Sequence, residues 1–305
     1  MSAQVLRRFG PTIQNDENKG TIIRFPATAN FLVDSEDRLS YPATASSPST
    51  NFIINKNNSL FNGFFTRFAL TEMVLDWCVD NIAPGNDTFS VTGPAPTGTT
   101  TITLDAGSYT AADVLDSIVA QLNTAIGPAT FRLEDKFGNV YNPATSVGPV
   151  YLATTGGANF TINDTLLASK YLNLASQIGV PGAAFPITCP KLIPYAYIDF
   201  VSPQLTYNQE LKDNSTQISS RDVLFRWNFA WDQESSYDKY GYPVFQGYKP
   251  FIARRAVAFP KQIAWTPDIP VGQVAFQVYD ENGDLLDIAG MGEMEFQMTF
   301  LVSEN

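Results

Sequence analysis

The sequence predicts a mainly β protein, in which a β-sandwich is split in sequence by a small inserted α+β domain. Short apolar segments bounded by turn residues recur in the first and last parts of the chain, whereas the clearest helical period lies in the middle. The best-patterned strand runs from Glu293 to Val302, where apolar and polar residues alternate over ten residues. This period of two puts the apolar set on one face of a half-buried strand. The apolar set is Met294, Phe296, Met298, Phe300 and Val302.

The composition indicates a globular protein that lacks the usual residues of hydrolytic and metal chemistry. The chain has 305 residues, of which 44% are hydrophobic, so it is long enough to bury a sizeable core. The formal net charge is -11, so phosphate backbones and anionic membranes should repel the protein. Histidine is absent, which removes the commonest general base and the usual zinc ligand. We therefore expect no enzyme activity and no direct nucleic-acid binding.

Cysteine usage and the N-terminus are typical of a protein that is assembled inside a cell. Cys78 and Cys189 lie far apart in sequence and match neither a disulfide framework nor a metal motif, so we expect free, buried thiols. The N-terminus shows no apolar stretch followed by a cleavage site, so no secretion signal is expected. No run of about 18 apolar residues occurs, and we expect no membrane span.

The first 83 residues are predicted to comprise an arm and the first strands of the sandwich. Residues 1–50 are polar apart from Thr21–Phe25, which has the pattern of a single strand. This arm is either a loosely ordered terminus or a segment that orders on a neighbouring subunit. From residue 51 to residue 79, apolar runs on both sides of Asn62-Gly63 predict a strand, a turn and a strand.

Residues 84–183 are predicted to form the inserted α+β domain. Thr110 begins a helix whose apolar positions recur at intervals of three and four. Asp113 completes a pattern related to the capping box, and Gly127-Pro128 predicts the end of the helix. Short strands are expected at Phe89–Thr92, Thr100–Leu104, Phe131–Leu133, Val140–Tyr141, Val150–Ala153 and Phe160–Ile162.

After this segment the chain returns to strands separated by turns. Residues 51–83 and 184–305 are expected to form one discontinuous sandwich domain. The sharpest turn is Asp280–Asp284, because Asn-Gly accepts the positive φ values of a tight hairpin. Its carboxylates resemble those of a calcium loop, but the flanking strands favour a plain turn. The expected strands are Ile193–Val201, Val223–Trp231, Val244–Phe259, Gln262–Trp265 and Val274–Tyr279.

Two carboxylate pairs and one aromatic segment are candidates for chemistry. Asp232 with Glu234, and Glu293 with Glu295, place two acids on one face of an extended segment, as a glycosidase requires. Such pairs are common on solvated strands, so we assign no catalytic residues. The rings between residues 227 and 251 suit either a sugar-binding platform or a core and subunit interface, and the second interpretation is favoured. No cofactor-binding or metal-binding residues are assigned.

Several segments in the last third of the chain resemble one family of viral proteins. They are TYNQELKDNSTQISSRDVLFRW (206–227), GYPVFQGYKPF (241–251), PKQIAWTP (260–267) and the ending GQVAFQVYDENGDLL with MTFLVSEN. In their order along the chain, these segments resemble the minor capsid (penton) proteins of virophages, polinton-like viruses and related large DNA viruses of eukaryotes. Residues 107–112 and 158–162 are similar to inserts of such vertex proteins.

The resemblance implies a single jelly roll, five copies of which plug each fivefold vertex of an icosahedral shell. The implied partners are the other subunits of a homopentamer and a double jelly-roll major capsid protein, with the inserted domain projecting outward. The protein would be located at the capsid vertex of the virion and would be assembled inside the host cell. An alternative is a virion surface or fibre protein whose inserted domain binds a host receptor or glycan.

Overall fold

The computed structural model describes most of the chain, and the structural statements below concern the residues that it describes. These are residues 28–40, 48–55, 67–93, 98–127, 130–146, 149–155, 158–174, 185–187, 190–206, 223–229, 233–245, 249–258, 260, 262–264 and 273–303.

Strands dominate the described residues, as the sequence predicts. They are accompanied by helix α1 (Ala111–Ile126) and the single helical turn α2 (Pro203–Thr206). A 3₁₀ segment spans Ser35–Ser40, and a π-helical turn spans Leu167–Tyr171. The strands are β1 (Thr28–Asp34), β2 (Asn51–Asn55), β3 (Arg67–Val79), β4 (Thr88–Thr92), β5 (Thr99–Thr103), β6 (Phe131–Glu134), β7 (Val150–Thr154), β8 (Thr161–Ile162), β9 (Phe185–Ile187), β10 (Tyr197–Val201), β11 (Val223–Asn228), β12 (Gln233–Tyr237), β13 (Pro243–Phe245), β14 (Phe251–Ala256), β15 (Gln262–Ala264), β16 (Gln273–Tyr279) and β17 (Gly292–Ser303).

Two antiparallel sheets form a sandwich. One sheet has the strand order β1-β17-β3-β14, with β15 paired to the other end of β3. The second sheet has the order β11-β10-β16-β2. The inner faces of both sheets contribute to one cluster of buried apolar side chains, which is the core of the sandwich.

The pairing of these strands is that of a jelly roll. With β14 and β15 taken as one position, the sandwich has eight strand positions along the chain. The first pairs with the eighth, the second with the seventh, the third with the sixth and the fourth with the fifth. One long antiparallel hairpin has thus been rolled into two sheets, which is the jelly-roll arrangement. The predicted fold class, mainly β with a single jelly roll, is confirmed.

The strand predicted near the C-terminus is β17, and its two faces differ as expected. The apolar residues from Met294 to Val302 are buried, and the residues between them are more exposed. Phe296 lies in the middle of the core, where its ring is 4.9 Å from that of Phe200 and 5.8 Å from that of Phe52. Both partners belong to the opposite sheet, so β17 joins the two sheets through its inner face.

The prediction of an arm over residues 1–50 is wrong for the end of that range. Thr28–Asp34 forms β1, which pairs with β17 along its whole length. Val33 is buried in the core, and Phe31 packs against it. The sequence does not reveal this strand, because Phe31, Leu32 and Val33 form a short apolar run without alternation in an otherwise polar region. The predicted strand Thr21–Phe25 and the predicted turn Asn62-Gly63 lie outside the described residues.

A second unit lies between β3 and β10 in the chain. It contains a sheet of order β5-β4-β8, a sheet of order β6-β7-β9 and helix α1, packed around a separate apolar cluster. Helix α1 begins as predicted. The Thr110 hydroxyl accepts a hydrogen bond from the Asp113 amide at 3.2 Å, and the Asp113 carboxylate accepts one from the Thr110 amide at 3.1 Å. This capping box satisfies N–H groups that the first helical turn leaves without partners.

The second unit extends past the boundary predicted at residue 183. Strand β9, Phe185–Ile187, pairs with β7, and Leu192 belongs to the apolar cluster of this unit. The division of the chain into an inserted domain and a discontinuous jelly-roll domain stays a prediction. If it holds, the second boundary lies nearer to residue 192 than to residue 183.

Candidate functional site

The carboxylate pair on β17 faces a cleft, but one of its members is already engaged. Glu293 and Glu295 line a cleft of about 940 Å³ between the β1–β2 and β16–β17 connections. The Arg38 guanidinium donates to both carboxylate oxygens of Glu295, at 2.7 Å and 2.6 Å, and the Ser35 hydroxyl donates as well. Glu295 therefore fastens the segment after β1 to β17. Asp232 lies outside the described residues, as does the side chain of Glu234.

The acidic segment Asp280–Asp284 is a tight turn between β16 and β17. The Asp280 carboxylate accepts hydrogen bonds from the amides of Asn282 and Asp284, each at 2.9 Å. Gly283 has a φ of 87°, which favours glycine at that position. The predicted tight turn is confirmed. Within the described ranges, no group of three or more Cys, Asp or Glu residues is placed to hold a metal ion.

The predicted burial of the cysteines is wrong for Cys78. Its thiol is free and exposed, because Cys78 lies between the buried Trp77 and Val79 on a strand and so points to the opposite face. Partial burial, a hydrogen bond to Asp76 and the charges of Asp76 and Glu293 raise the pKa of the Cys78 thiol. Cys189 lies outside the described residues.

A maleimide is expected to label Cys78 in the folded protein. Because its pKa is raised, labelling at neutral pH should be slower than that of free cysteine and should accelerate as the pH rises past the pKa of an ordinary thiol. Peptide mapping by mass spectrometry identifies the labelled residue, and Cys78→Ser is the control. Labelling of Cys78 that required denaturant would contradict the exposed position.

Trp227, Phe229 and Phe251 of the aromatic segment serve packing, whereas Tyr237 is exposed. Trp227 and Phe229 are buried in the core, and the Trp227 ring lies 6.3 Å from that of Phe251. The guanidinium of Arg255 lies 4.0 Å from the centre of the Trp227 ring and donates to the Asn228 carbonyl at 3.1 Å. These contacts join β14 to β11 and close that side of the sandwich. They support the structural interpretation of the segment over a row of exposed rings.

The hairpin β12–β13, in the connection between β11 and β14, binds the second unit. The Tyr240 hydroxyl donates to Asp116 of helix α1 at 2.6 Å, and the Tyr242 hydroxyl donates to the carbonyl of Ile187 at 2.6 Å. Asp238 accepts a hydrogen bond from the backbone in the first turn of α1. Burial and the carboxylate of Asp116 raise the pKa of Tyr240, so its hydroxyl stays protonated and donates. These hydrogen bonds from the hairpin hold the second unit at positions away from β3 and β10, the strands between which it lies in the chain.

Removing the Tyr240 hydroxyl is expected to weaken this attachment. Tyr240→Phe loses one hydrogen bond to a half-exposed carboxylate, which should lower the free energy of unfolding by about 1 kcal/mol. The control is Tyr237→Phe in the same hairpin, where the ring is exposed and no change is expected. Urea denaturation measures both variants. Equal stability of the two variants would contradict a binding role for Tyr240.

A buried asparagine joins the places where the chain leaves and re-enters the jelly roll. Asn81 follows β3, and its side chain accepts a hydrogen bond from the amide of Tyr109 at 2.9 Å. It also donates to the carbonyls of Tyr109 and Leu192, at 2.8 Å and 3.1 Å. Three segments that are far apart in sequence therefore meet at one side chain. These hydrogen bonds fix the positions of Tyr109 and Leu192 relative to the end of β3.

A hydrogen-bonded turn of the second unit exposes two apolar side chains. Phe137 is 75% exposed and Val140 is 63% exposed. The Asp135 carboxylate holds the turn by accepting hydrogen bonds from the amides of Phe137 and Asn139, at 2.8 Å and 3.0 Å. Burial alone would raise the pKa of Asp135, but these hydrogen bonds lower it. The predicted strand at Val140–Tyr141 is reduced to a single bridge because this turn occupies the chain.

On each side of the sandwich, both sheets end in an edge strand. β1 and β2 are the terminal strands on one side, and β14 and β11 are the terminal strands on the other. In the part of the chain that the structure describes, no further strand pairs with these four edges. An unpaired edge presents backbone N–H and C=O groups to which another chain can bind. The two sides differ in sequence, so the two pairs of edge strands are unlike each other.

Strand order and chain order define the class as a single jelly-roll protein with additional α and β elements between its third and fourth strands. The structure is similar to the crystal structure of the mavirus penton protein, with a TM-score of 0.46 and 13% sequence identity, covering 90% of this chain and 98% of that chain. No protein-family model and no curated protein matches the sequence. Neither described helix has the length and apolar character needed to cross a membrane.

Proposed function

We propose that the protein is a structural minor capsid protein whose pentamer forms the vertex, or penton, of an icosahedral DNA-virus shell. The observation that supports this most strongly is a single jelly roll with two unlike edges, β1 with β2 and β14 with β11, with which no further strand among the described residues pairs. A contact between unlike edges is heterologous, and heterologous contacts close into rings when the rotation between copies allows it. The resemblance of residues 206–227 and 241–251 to penton proteins favours rings of five.

In this function the protein acts by associating with other subunits. The side edges contact sibling subunits, and the remaining rim contacts a double jelly-roll major capsid protein in the virion. The cleft that holds Glu293 and Glu295 then has a structural use, because Arg38 and Ser35 bind Glu295 and fasten the β1–β2 connection beside an edge. Net charge of -11 keeps free subunits soluble before assembly.

Sedimentation velocity and electron microscopy of the full chain test the proposal. Alone or with the major capsid protein of the same virus, it is expected to form five-subunit rings and to occupy the vertices of particles. A chain that stays monomeric and never enters particles would refute the penton role.

A second candidate function is binding of a host receptor or glycan through the second unit. The observation that favours it is the turn held by Asp135, which keeps Phe137 and Val140 exposed on a fixed backbone. Lys136 lies 4.9 Å from the Phe137 ring, so the turn combines an aromatic ring with a positive charge. Rigid exposed aromatic side chains contribute contact area with little loss of conformational entropy on binding.

Attachment of particles to host cells separates the two candidates. The double variant Phe137→Ser with Val140→Ser should lose attachment and keep its vertices if the turn binds a receptor. Leu166→Ser, at another exposed apolar residue of the second unit, is the matched control and should attach normally. Unchanged attachment by the double variant would remove the receptor role from this turn.

A further inference from the structure

The described charges on the outermost strands of the jelly roll differ in sign between its two sides. Carboxylates predominate beside β1 and along the neighbouring part of β17, where Arg38 is bound to Glu295. We call this the acidic edge. Its carboxylates are Asp34, Glu36, Asp37, Asp287, Glu293 and Glu295.

Cations predominate on the outermost strands of the opposite side, β11 and β14, which we call the basic edge. The nearest carboxylates, Glu72, Asp76 and Asp199, lie on the adjoining strands β3 and β10. Arg226 lies on β11, Arg254 and Arg255 lie on β14, and Lys249 precedes β14 by two residues. The contact of Arg255 with Trp227 brings the two strands together, so these four cations belong to one side of the sandwich. Four of the 19 Lys and Arg residues are therefore collected at one edge of a strongly acidic chain.

Some of these cations have partners within the chain, and others remain available to a neighbour. Arg226 forms two hydrogen bonds to Asp199, at 2.7 Å and 2.8 Å. Arg254 contacts Glu72 but its side chain is 71% exposed, and Lys249 is exposed. On the acidic edge Glu36 and Asp37 are exposed.

Each edge also carries an exposed apolar side chain on the same outer sheet face. Ile252, two residues from Arg254, is 72% exposed, and Leu32, four residues from Glu36, is 58% exposed. A contact between the two edges can bury both side chains while it pairs opposite charges. Contacts between two copies of the same edge would instead bring like charges together, which costs free energy at an interface.

We propose that the acidic edge of one copy of this chain docks against the basic edge of the next copy, with Glu36 and Asp37 facing Lys249 and Arg254 and with Leu32 and Ile252 inside the contact. This inference rests on the proposed ring assembly and assigns its two faces. The pairing of unlike charges makes the contact head-to-tail, which is the geometry a closed ring requires.

A charge-exchange experiment on the full chain tests the assignment. The acidic-edge variant is Glu36→Lys with Asp37→Lys, and the basic-edge variant is Lys249→Glu with Arg254→Glu. Each variant alone should raise the dissociation constant of the assembly by about tenfold or more, because each contact then opposes like charges. A chain that carries all four substitutions should recover assembly, because its exchanged edges are complementary again. Sedimentation velocity measures the affinities.

Two controls distinguish an effect of where the charges lie from an effect of the net charge and from an effect of misfolding. Asp105→Lys with Asp164→Lys changes the net charge as much as the acidic-edge variant does, at exposed carboxylates of the second unit, and should assemble like wild type. Thermal unfolding checks that each variant is folded, and Lys249→Glu alone is the milder basic-edge variant, since it leaves the Arg254–Glu72 contact intact.

The outcomes distinguish this inference from the proposed function. A wild-type chain that stays monomeric overturns both. Wild-type rings whose affinity is unchanged by either edge variant overturn the assignment of the faces and leave the penton role standing. A folded four-substitution chain that stays monomeric also overturns the assignment. Loss of assembly in each edge variant, with recovery in the combined chain, establishes it.

Discussion

Phe296→Ala is expected to lower the free energy of unfolding by about 3–5 kcal/mol, which is the usual cost of removing a large buried aromatic side chain. Phe296 lies on the inner face of β17 and is almost fully buried. Its ring is 4.9 Å from Phe200, 5.8 Å from Phe52 and 6.3 Å from Phe276, all in the opposite sheet. The substitution therefore opens a cavity at the contact between the two sheets, where the neighbouring rings cannot all close in.

The same strand supplies a matched control. Leu301 lies on the outer face of β17 and is 39% exposed, so Leu301→Ala should cost about 1 kcal/mol or less. Urea denaturation of both variants gives the comparison directly. Similar losses for the two variants would mean that β17 does not present one face to a core, and the sandwich arrangement would be wrong.

The local sequence pattern predicts those elements whose two faces differ strongly in polarity. β17 alternates over its whole length, and α1 combines an apolar stripe with a capping pair at Thr110 and Asp113, so both are recognisable from neighbouring residues alone. β1 escapes recognition because its apolar residues Phe31, Leu32 and Val33 are consecutive, so they do not show the alternation of a half-buried strand. Its stability comes from pairing with β17, which the local sequence does not encode.

Strand order and the association surfaces depend on contacts between distant segments. Ser35 and Glu295, which are hydrogen-bonded, are 260 residues apart, and Tyr240 and Asp116 are 124 residues apart. Neither pair has a spacing from which it could be inferred. The acidic and basic edges are also assembled from separate segments, so a chain read in order shows scattered charges. Cys78 is the exception, since its outer position follows from the alternation of β3.

Asn81→Ala is expected to lower the free energy of unfolding by about 2–4 kcal/mol, because it removes three hydrogen bonds and leaves buried partners unsatisfied. The partners are the amide and carbonyl of Tyr109 and the carbonyl of Leu192. Asn81 is fully buried, and water has little access with which to replace the lost bonds. Asn282→Ala is the control, since Asn282 bonds to Asp280 in an exposed turn and should change stability by about 0.5 kcal/mol or less.

Hydrogen exchange shows where the effect of Asn81→Ala falls. The Tyr109 amide loses its acceptor, so exchange should accelerate there and around residue 192, while the centre of β17 stays protected. This pattern would mean that the junction loosens while the jelly roll remains folded, and that Asn81 holds the second unit in place. Acceleration spread evenly over both units would instead assign Asn81 to the stability of the whole chain. If the proposed assembly at the edges and the second candidate function both hold, a loosened junction should leave ring formation intact and weaken the contacts made through the second unit.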